Sequence, residues 1–402
     1  MSWREQSDVN ALESLLQLDV EVKAERGLTH TPAEIAQQPD TWAATLDLFH
    51  RHRAEIRDFL GHAGIAASQD NRPTVFLIGA GTSDYVARCL AQLLRRLWQT
   101  EVIAIPSTDL LTHMEQHLVP GHPYLWISFS RSGDSPEGVA VLENALRKYP
   151  NIHHLIVSCN KNGRMITGSV GERQALGICL NDEVNDRGLA MTSSFSNMVV
   201  FGHCLAHMSS PGEYDKVLAA MIAAGRSFLP IAADCAALLA SKSYRKVCFV
   251  GSGPLAAVAR EAALKLMELT AGETQTMWES SLGLRHGPMA GLKPSDLFVI
   301  FLSSDDRVQK YELDLLSEVG RKKIVDARVV VGTYQKASVN GLAEHYLAPE
   351  ISSPLPDDYR PPVDVIFGQL LGLFSSLAWK LKPDCPSPTG AISRVVGGVT
   401  IY

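Results

Sequence analysis

The stretch Ser128-Phe129-Ser130-Arg131-Ser132-Gly133-Asp134-Ser135 decides how the rest of the chain is interpreted. It follows an apolar run, Tyr124 to Ile127, that is typical of a buried strand, and Pro136-Glu137 then begins a helical pattern. Serine hydroxyls and a glycine at a strand-to-helix turn are typical of a phosphate-binding loop, because backbone amides at the helix start point at the anion. An ordinary polar turn with a serine cap is the alternative, and the remainder of the chain decides between them.

Composition and charge indicate a soluble globular protein. The 402 residues are enough for two domains, with 46% hydrophobic and 20% charged residues. A formal net charge of −6 gives no indication of a nucleic-acid surface. The first residues, Met1 to Gln6, are too polar for a secretory signal. The longest uncharged stretch, Val365 to Trp379, is shorter than the roughly 18 to 20 apolar residues of a membrane span, so a buried helix is predicted there.

The cysteines predict a cytoplasmic protein without a metal site. Seven cysteines occur with no Cys-x-x-Cys pair, and most lie in apolar runs, which favours buried thiols in a reducing compartment. His203-Cys204-x-x-His207 could place metal ligands on one helical face, but no second cluster accompanies it. These residues are therefore interpreted as core residues, and no metal is predicted.

The chain divides into a helical beginning and an α/β remainder. Residues 1–70 contain no convincing strand, and Thr31-Pro32-Ala33-Glu34 predicts a helix start with Thr31 as its cap. From Pro73 onward, short apolar runs alternate with helical patterns. Val75 to Ile78, for example, is followed by Gly79-Ala80-Gly81-Thr82-Ser83 and a helix. This alternation predicts parallel sheets covered by helices on both faces.

The α/β pattern occurs twice, which predicts two similar domains, residues 71–225 and 226–402, each a three-layer α/β/α unit. Lys246 to Gly253 repeats the first strand and its Gly-x-Gly turn, and Leu297 to Asp306 corresponds to the serine-rich stretch. The second copy lacks the loop glycine and carries Asp305-Asp306, which would repel a dianion. Only the first copy is therefore expected to bind phosphate.

The Gly-x-Gly turns also raise the alternative of a nicotinamide-binding fold. Gly79-x-Gly81-x-x-Asp84 breaks the dinucleotide fingerprint, whereas Gly251-x-Gly253-x-x-Ala256 fits it loosely. One loose match is weak evidence, so no organic cofactor is predicted.

The second half carries the candidates for proton transfer. Glu261, Lys265 and Glu268 have the spacing i, i+4, i+7, which places acid, base and acid on one helical face. Because the flanking residues are rich in Ala, Leu and Met, partial burial is expected, and a carboxylate beside a lysine in a cleft is a candidate proton carrier. His286 lies between Gly283 and Pro288 on a constrained loop, where a titrating imidazole can be positioned.

Five short motifs occur in order along the chain: Gly81-Thr82-Ser83, Ser130-x-Ser132-Gly133-x-Ser135, Glu261-x-x-x-Lys265-x-x-Glu268, Arg285-His286-Gly287-Pro288 and Ser393-Arg394-Val395-Val396-Gly397-Gly398-Val399. With them the chain resembles the sugar isomerase (SIS) domain proteins over most of its length. The resemblance is to the two-domain tagatose-6-phosphate ketose/aldose isomerase type, also described as galactosamine-6-phosphate deaminase. It implies that the phosphate of a hexose or hexosamine 6-phosphate is bound by Thr82, Ser83, Ser130, Ser132 and Ser135.

The resemblance also implies catalytic roles. By similarity to the isomerase half of glucosamine-6-phosphate synthase, Glu268 would move the proton between C1 and C2, and His286 would assist ring opening. Glu261 and Lys265 would orient the base and the open-chain sugar. That synthase uses a lysine in its C-terminal tail, whereas no lysine follows Lys382 here and Arg394 is the cation of the final stretch.

The predicted function is an amino-sugar-phosphate deaminase/isomerase that converts galactosamine 6-phosphate to tagatose 6-phosphate and ammonia. Glucosamine-6-phosphate deamination, tagatose-6-phosphate isomerisation and deglycation of sugar-phosphate adducts are enzyme alternatives, and a non-catalytic sugar-phosphate sensor is an alternative of another class. The resemblance implies a homodimer or higher oligomer with His286 acting across the interface. The helical N-terminal segment and the helix at residues 365–379 are expected to provide apolar surface for it.

Overall fold

The computed structural model describes residues 9–68, 71–332 and 339–402, so residues 1–8 of the predicted N-terminal segment lie outside the described residues. Within these ranges the chain forms two parallel five-stranded sheets, with strand orders β2-β1-β3-β4-β5 and β10-β9-β8-β6-β7. The predicted α/β fold with two parallel sheets is confirmed. The strands are β1 (Thr74–Gly79), β2 (Val102–Pro106), β3 (Tyr124–Ser130), β4 (Ile152–Ser158), β5 (Ala175–Cys179), β6 (Lys246–Gly251), β7 (Gln275–Ser280), β8 (Leu297–Phe301), β9 (Ala327–Val331) and β10 (His345–Leu347).

Helices cover both sheets and join them. They are α1 (Ala11–Leu16), α2 (Val20–Arg26), α3 (Thr31–Ala36), α4 (Gln38–His62), α5 (Thr82–Trp98), α6 (Ser107–His117), α7 (Pro136–Lys148), α8 (Arg164–Thr167), α9 (Ser193–Ala206), α10 (Pro211–Ala240), α11 (Pro254–Leu269), α12 (Asp306–Lys322) and α13 (Pro361–Ala378). The described residues before β1 are helical, as expected, and α4 packs on α9 and α10 through the fully buried Trp42.

The predicted cap of α3 is wrong. Thr31 is the first residue of the helix, and its hydroxyl donates to Asp384 Oδ1 at 2.7 Å instead of capping the backbone. The backbone amide of Thr31 donates to the same carboxylate oxygen at 2.8 Å. A carboxylate more than 350 residues away along the chain therefore accepts the hydrogen bonds of the first residue of this helix.

The two halves repeat one arrangement in detail. Val75 of β1 pairs with Leu125 of β3, and Val247 of β6 pairs with Leu297 of β8 in the same register. Each first strand ends in a Gly-x-Gly turn whose second glycine has a positive φ, 55° at Gly81 and 56° at Gly253. Only glycine adopts this backbone conformation without strain. The helices that follow these turns, α5 and α11, pack against each other and bring the two halves together.

Long helices, not a linker, connect the halves. The expected boundary between residues 225 and 226 lies inside α10, a continuous 30-residue helix. The division of the chain at that position stays a prediction.

The uncharged stretch near residue 365 forms α13, which is buried as predicted and packs on α10 and α11 of the same chain. Its expected role in an intermolecular interface is wrong, because its apolar residues are already covered within the chain. By length and composition alone α10 and α13 could cross a membrane. The burial of α13 inside the protein identifies it as a core helix instead.

Candidate active site

A cavity of about 410 Å³ lies at the carboxyl ends of β1 and β3. The turn after β1, the serine-rich loop after β3, one face of α11 and the tail segment 391–397 surround it. This is the edge at which parallel α/β sheets bind ligands, because the loops and helix N-termini converge there. The predicted residues that line it are Thr82, Ser83, Ser130, Ser132, Ser135, Lys265, Glu268 and Arg394.

The serine-rich loop has a backbone suited to an anion. Gly133 has a φ of 66°, and a Cβ there would approach Gly163 Cα and Ser158 Oγ at 3.1 Å each, so glycine is required. The amide of Gly133 donates to Ser130 Oγ at 3.0 Å, and the amide of Asp134 donates to Ser132 Oγ at 3.1 Å. Because both serine oxygens accept these bonds, their hydroxyl protons remain available to an anion.

Ser135 differs from the other two loop serines. Its hydroxyl donates to Glu137 Oε2 at 2.9 Å, at the start of α7. Donation to a ligand therefore requires Ser135 to exchange that partner.

The charged face of α11 is built as the spacing predicted. Lys265 Nζ lies 2.5 Å from Glu268 Oε2 and 3.5 Å from Glu261 Oε1. The side chains of Lys265 and Glu261 are 1% and 0% exposed, whereas that of Glu268 is 26% exposed. Of the two carboxylates beside Lys265, Glu268 is thus the one that is exposed to the cavity.

Glu261 lies behind the cavity, not in its lining. Thr82 Oγ1 donates to its Oε1 at 3.3 Å, and its Oε2 has no hydrogen-bond partner among the described residues. Burial raises the pKa of Glu261 to about 8, against the opposing effect of Lys265. Burial disfavours a charged Lys265, but its two carboxylate neighbours outweigh burial and raise the pKa of the lysine. Burial therefore favours the protonated form of Glu261, which lies behind the Lys265–Glu268 pair.

The structure does not bring His286 into this cavity. The residue follows the short helix Gly283–Arg285 and is exposed. Its neighbour Arg285 pairs with Asp314 and Glu318 at 2.7 Å each, which attaches the loop to α12. Within one chain, His286 therefore presents its imidazole to the outside of the molecule.

The tail residue Arg394 lines the cavity, but its guanidinium is already engaged. Nε donates to the backbone oxygen of Asp186 at 2.6 Å, and Nη2 donates to Asn185 Oδ1 at 2.6 Å. Its backbone oxygen accepts from Arg131 Nη2. The arginine thus attaches the tail over the cavity. Sequence reasoning missed Arg131 as a site residue, although it stands inside the quoted motif.

The corresponding loop of the second half binds a carboxylate of the same chain. Ser303 Oγ donates to Asp357 Oδ2 at 2.5 Å, and the amide and hydroxyl of Ser304 each donate to Asp357 Oδ1 at 2.7 Å. The placement of Asp305 differs from the expectation, because this residue caps α12 by accepting from the amides of Arg307 and Val308. The position that corresponds to the anion site is therefore occupied by the carboxylate of Asp357, and not by Asp305 or Asp306.

His203, Cys204 and His207 are buried, so their interpretation as core residues is confirmed. His203 Nδ1 lies 3.1 Å from the Tyr214 hydroxyl, and His207 Nε2 lies 2.8 Å from the Tyr359 hydroxyl. Across the described ranges, no group of three His, Cys, Asp or Glu side chains could hold a metal ion.

Two parallel-sheet halves, with a serine-rich loop and the Lys265–Glu268 face of α11 at one cavity, are the arrangement expected of a sugar isomerase (SIS) domain protein. No family model matches the chain. The chain is 32% identical over 385 residues to the D-galactosamine-6-phosphate deaminase AgaS of Escherichia coli, covering 93% of this chain and 96% of the relative. It is 33% identical over 393 residues to the AgaS deaminase of Shewanella sp. ANA-3, covering 97% and 96%. The chain belongs to the SIS family that contains these AgaS deaminases.

Solved structures agree with this assignment. The tagatose-6-phosphate ketose/aldose isomerase from Escherichia coli superposes with a TM-score of 0.81 at 30% identity, covering 92% of this chain and 96% of that one. The C-terminal domain of glucosamine-fructose-6-phosphate aminotransferase from Francisella tularensis has a TM-score of 0.71 at 17% identity, covering 87% and 96%, and shows the shared fold. The resemblance inferred from the five motifs is confirmed.

Proposed function

We propose that this enzyme converts D-galactosamine 6-phosphate to D-tagatose 6-phosphate and ammonia. The observation that carries the proposal is the placement of Glu268, with Lys265 beside it, in the same cavity as the serine-rich loop. The names of the AgaS relatives support the galacto configuration of the substrate. The nearest alternatives use the same chemistry on other substrates. They are deamination of glucosamine 6-phosphate, isomerisation of tagatose 6-phosphate and deglycation of sugar-phosphate adducts.

In this proposal the serine-rich loop anchors the substrate by its phosphate. The hydroxyls of Ser130, Ser132 and Ser83 surround the phosphate position. Thr82 borders it at the start of α5, with its hydroxyl donated to Glu261. Ser135 joins them after release from Glu137. Anchoring at the 6-phosphate contacts no reacting carbon, so the binding energy orients C1 and C2 without opposing their chemistry.

Glu268 is the proposed base. Its carboxylate takes the C2 proton of the open-chain amino aldose while O1 gains a proton, which gives a C1=C2 enolamine. The same group then returns a proton to C1 as the amine loses one, so the double bond has moved from C1–O to C2–N. Lys265 holds this carboxylate and orients the sugar, while Glu261, held by Thr82, positions Lys265 from behind. Proton transfer of this kind requires a positioned general base beside the carbon acid, and a carboxylate can serve as that base.

The proton shift explains deamination directly. Water adds to the resulting C2 imine, the carbinolamine loses ammonia, and the C2 ketone of tagatose 6-phosphate remains. With a hydroxyl in place of the amine, the same shift is an aldose–ketose isomerisation. Neither sequence of steps requires a metal ion or an organic cofactor. A non-catalytic sensor would need the serine loop but not the Lys265–Glu268 pair.

His286 is proposed to assist ring opening from a neighbouring subunit. It lies outside the cavity of its own chain and is exposed, so a second copy is needed to deliver it. Met267, Trp278 and Leu282, on elements around this loop, expose 45%, 37% and 45% of their surfaces. Apolar side chains of this kind are suited to a subunit interface. A homodimer, or a higher oligomer built from it, is therefore proposed.

A cytoplasmic location is also proposed. The seven cysteines are free thiols, as expected for a reducing compartment. We further propose that the enzyme acts on small sugar phosphates without a nucleic-acid or membrane partner, in keeping with its negative net charge.

A substrate panel tests the proposed function. Galactosamine, glucosamine, tagatose and galactose 6-phosphates are each assayed for ammonia release and for ketose or aldose formation. Ammonia and tagatose 6-phosphate in equal amounts from galactosamine 6-phosphate, with the highest kcat/KM of the panel, are expected. A higher kcat/KM for glucosamine 6-phosphate would overturn the galacto assignment, and binding without turnover of every member would favour the sensor.

A further inference from the structure

Arg131 is a buried cation in the wall of the cavity. It stands between Ser130 and Ser132 in the serine-rich loop, and only 6% of its surface is exposed. Its Nη1 donates to the backbone oxygen of Leu189 at 3.0 Å, and its Nη2 donates to that of Arg394. Its Nε is buried without a hydrogen-bond partner among the described residues. The guanidinium thus contacts neutral carbonyl groups.

No carboxylate of the described residues forms an ion pair with this guanidinium within 4.0 Å. The negative group that acts most strongly on it is Asp186. Asp186 is itself only 1% exposed, and its carboxylate accepts five hydrogen bonds from Thr192, Ser193 and Ser194. A second guanidinium, that of Arg394, donates hydrogen bonds to the backbone oxygen of Asp186 and to the side chain of Asn185. Neither Arg131 nor Arg394 forms an ion pair with a carboxylate of the described residues within 4.0 Å.

A buried cation without a full counter-charge is unfavourable and favours the arrival of an anion. The serine hydroxyls and backbone amides of the loop are neutral dipoles and carry no net charge. Lys265, which also lines the cavity, is already matched by Glu268 at 2.5 Å. Arg131 is the only Lys or Arg in the serine-rich loop. The one carboxylate of the loop, Asp134, lies outside the cavity lining and accepts hydrogen bonds from Asn160 and from the backbone amide of Arg164.

We propose that Arg131 supplies the charge that neutralises the substrate phosphate, and that it makes the site selective for a dianionic ester. The proposal rests on the proposed sugar-phosphate function. Arg394, the cation of the tail, instead donates to Asp186 and Asn185 and attaches the tail. Through its bonds to the carbonyls of Leu189 and Arg394, Arg131 additionally holds both segments that cover the cavity.

Two variants distinguish the charge of Arg131 from its role in holding the segments of Leu189 and Arg394. Arg131→Gln removes the charge, whereas Arg131→Lys keeps the charge but loses the planar donor fork. Arg164→Gln is the matched control. The backbone amide of Arg164 donates to Asp134 of the same loop, but its guanidinium pairs with Glu143 at the exposed surface. Each protein is titrated calorimetrically with inorganic phosphate, galactosamine 6-phosphate and galactosamine 6-sulfate, a monoanionic ester.

For Arg131→Gln we expect phosphate and 6-phosphate affinities to fall about tenfold to a hundredfold, and the 6-sulfate affinity to fall by clearly less. Arg131→Lys should retain most of the preference for the phosphate ester, and Arg164→Gln should match the wild type. An equal loss for both esters in Arg131→Gln, or a loss in Arg131→Lys as large as in Arg131→Gln, would overturn the proposal. If Arg131→Gln does not fold, the Arg131→Lys titrations decide.

The inorganic phosphate titration does not depend on turnover. It therefore reports on Arg131 even if galactosamine 6-phosphate proves not to be the substrate. Wild-type-like phosphate binding by folded Arg131→Gln would overturn the inference while leaving the proposed deamination intact.

Discussion

The hydroxyl of Thr82 donates a hydrogen bond to Glu261 Oε1 at 3.3 Å, and the two residues belong to different halves of the chain. Thr82 begins α5 beside the serine-rich loop, whereas Glu261 lies on α11 behind Lys265. The bond therefore connects the side of the cavity formed by the serine-rich loop to the side that carries Lys265 and Glu268. In the proposed reaction, the distance between anchor and base is set by the packing of α5 on α11.

Replacing Glu268 with Gln should abolish most turnover. The amide keeps the shape and one acceptor beside Lys265 but takes up no proton, so kcat should fall by at least about a hundredfold with little change in substrate affinity. Steady-state kinetics and a substrate titration check this. Glu273→Gln is the control, since Glu273 is an exposed carboxylate beyond the end of the same helix. Near-normal turnover in Glu268→Gln would assign the base to another residue.

Replacing Ser132 with Ala should weaken phosphate binding. The lost hydrogen bond to a charged group corresponds to about 1.5 to 3 kcal/mol, hence roughly ten- to a hundredfold in affinity. Calorimetric titration with inorganic phosphate measures this effect. Ser304→Ala is a matched control, because Ser304 occupies the corresponding loop of the second half and donates to Asp357. Equal phosphate affinities in the two variants would contradict the assignment of the anion site to the first half.

Glu261 should make folding stability depend on pH. Burial raises its pKa from 4.5 to about 8, so the folded state favours the protonated carboxyl. The stabilisation that the protonated Glu261 gives to the folded state is complete below pH 4.5 and is lost as the pH rises through 8. Relative to the wild type, Glu261→Gln should therefore gain stability as pH rises from 5 to 9, by at least the roughly 1.4 kcal/mol of one pKa unit.

Urea unfolding of both proteins at several pH values measures this difference. Glu34, whose pKa burial and Asp186 raise to about 7, and Asp364, whose pKa burial raises to about 6, are present in both proteins and cancel. Glu273→Gln again serves as the exposed control. A stability difference between Glu261→Gln and wild type that is independent of pH would show that Glu261 is charged in the folded protein.

Two inactive variants should complement each other if His286 acts across an interface. Ser132→Ala/Glu268→Gln and His286→Ala are purified separately and mixed under conditions that exchange subunits. A mixed dimer carries one site with every lesion and one intact site, so random exchange restores about a quarter of wild-type activity. Native mass spectrometry of differently tagged chains confirms exchange. Full exchange without recovered activity would show that each chain builds its own site.

Much of this architecture follows from local patterns. The apolar runs of β1 and β3 and the turns after them predict parallel strands whose carboxyl ends meet, which places the serine-rich loop at the ligand-binding edge. Helical periodicity alone places Glu261, Lys265 and Glu268 on one face of α11. These features depend on residues close in sequence, and the structure has them as predicted.

The remaining features depend on contacts between distant segments. The cap at Thr31 was mispredicted because Asp384 supplies the partner, and the anion position of the second half is filled by Asp357 from another segment. The apolar pattern of α13 predicts burial but does not specify which surfaces bury it. The engagement of Arg394 with Asn185, like the burial of Arg131, appears only once the tail is folded over the cavity.

Incubation of the wild-type enzyme with D-galactosamine 6-phosphate in D₂O, followed by NMR, tests the central claim most directly. We predict one ammonia for each tagatose 6-phosphate formed, with deuterium from the solvent at C1 of the ketose. Glu268→Gln should give neither product at a comparable rate. Absence of ammonia, or ammonia without the ketose, would contradict the proposed deamination by proton transfer between C2 and C1.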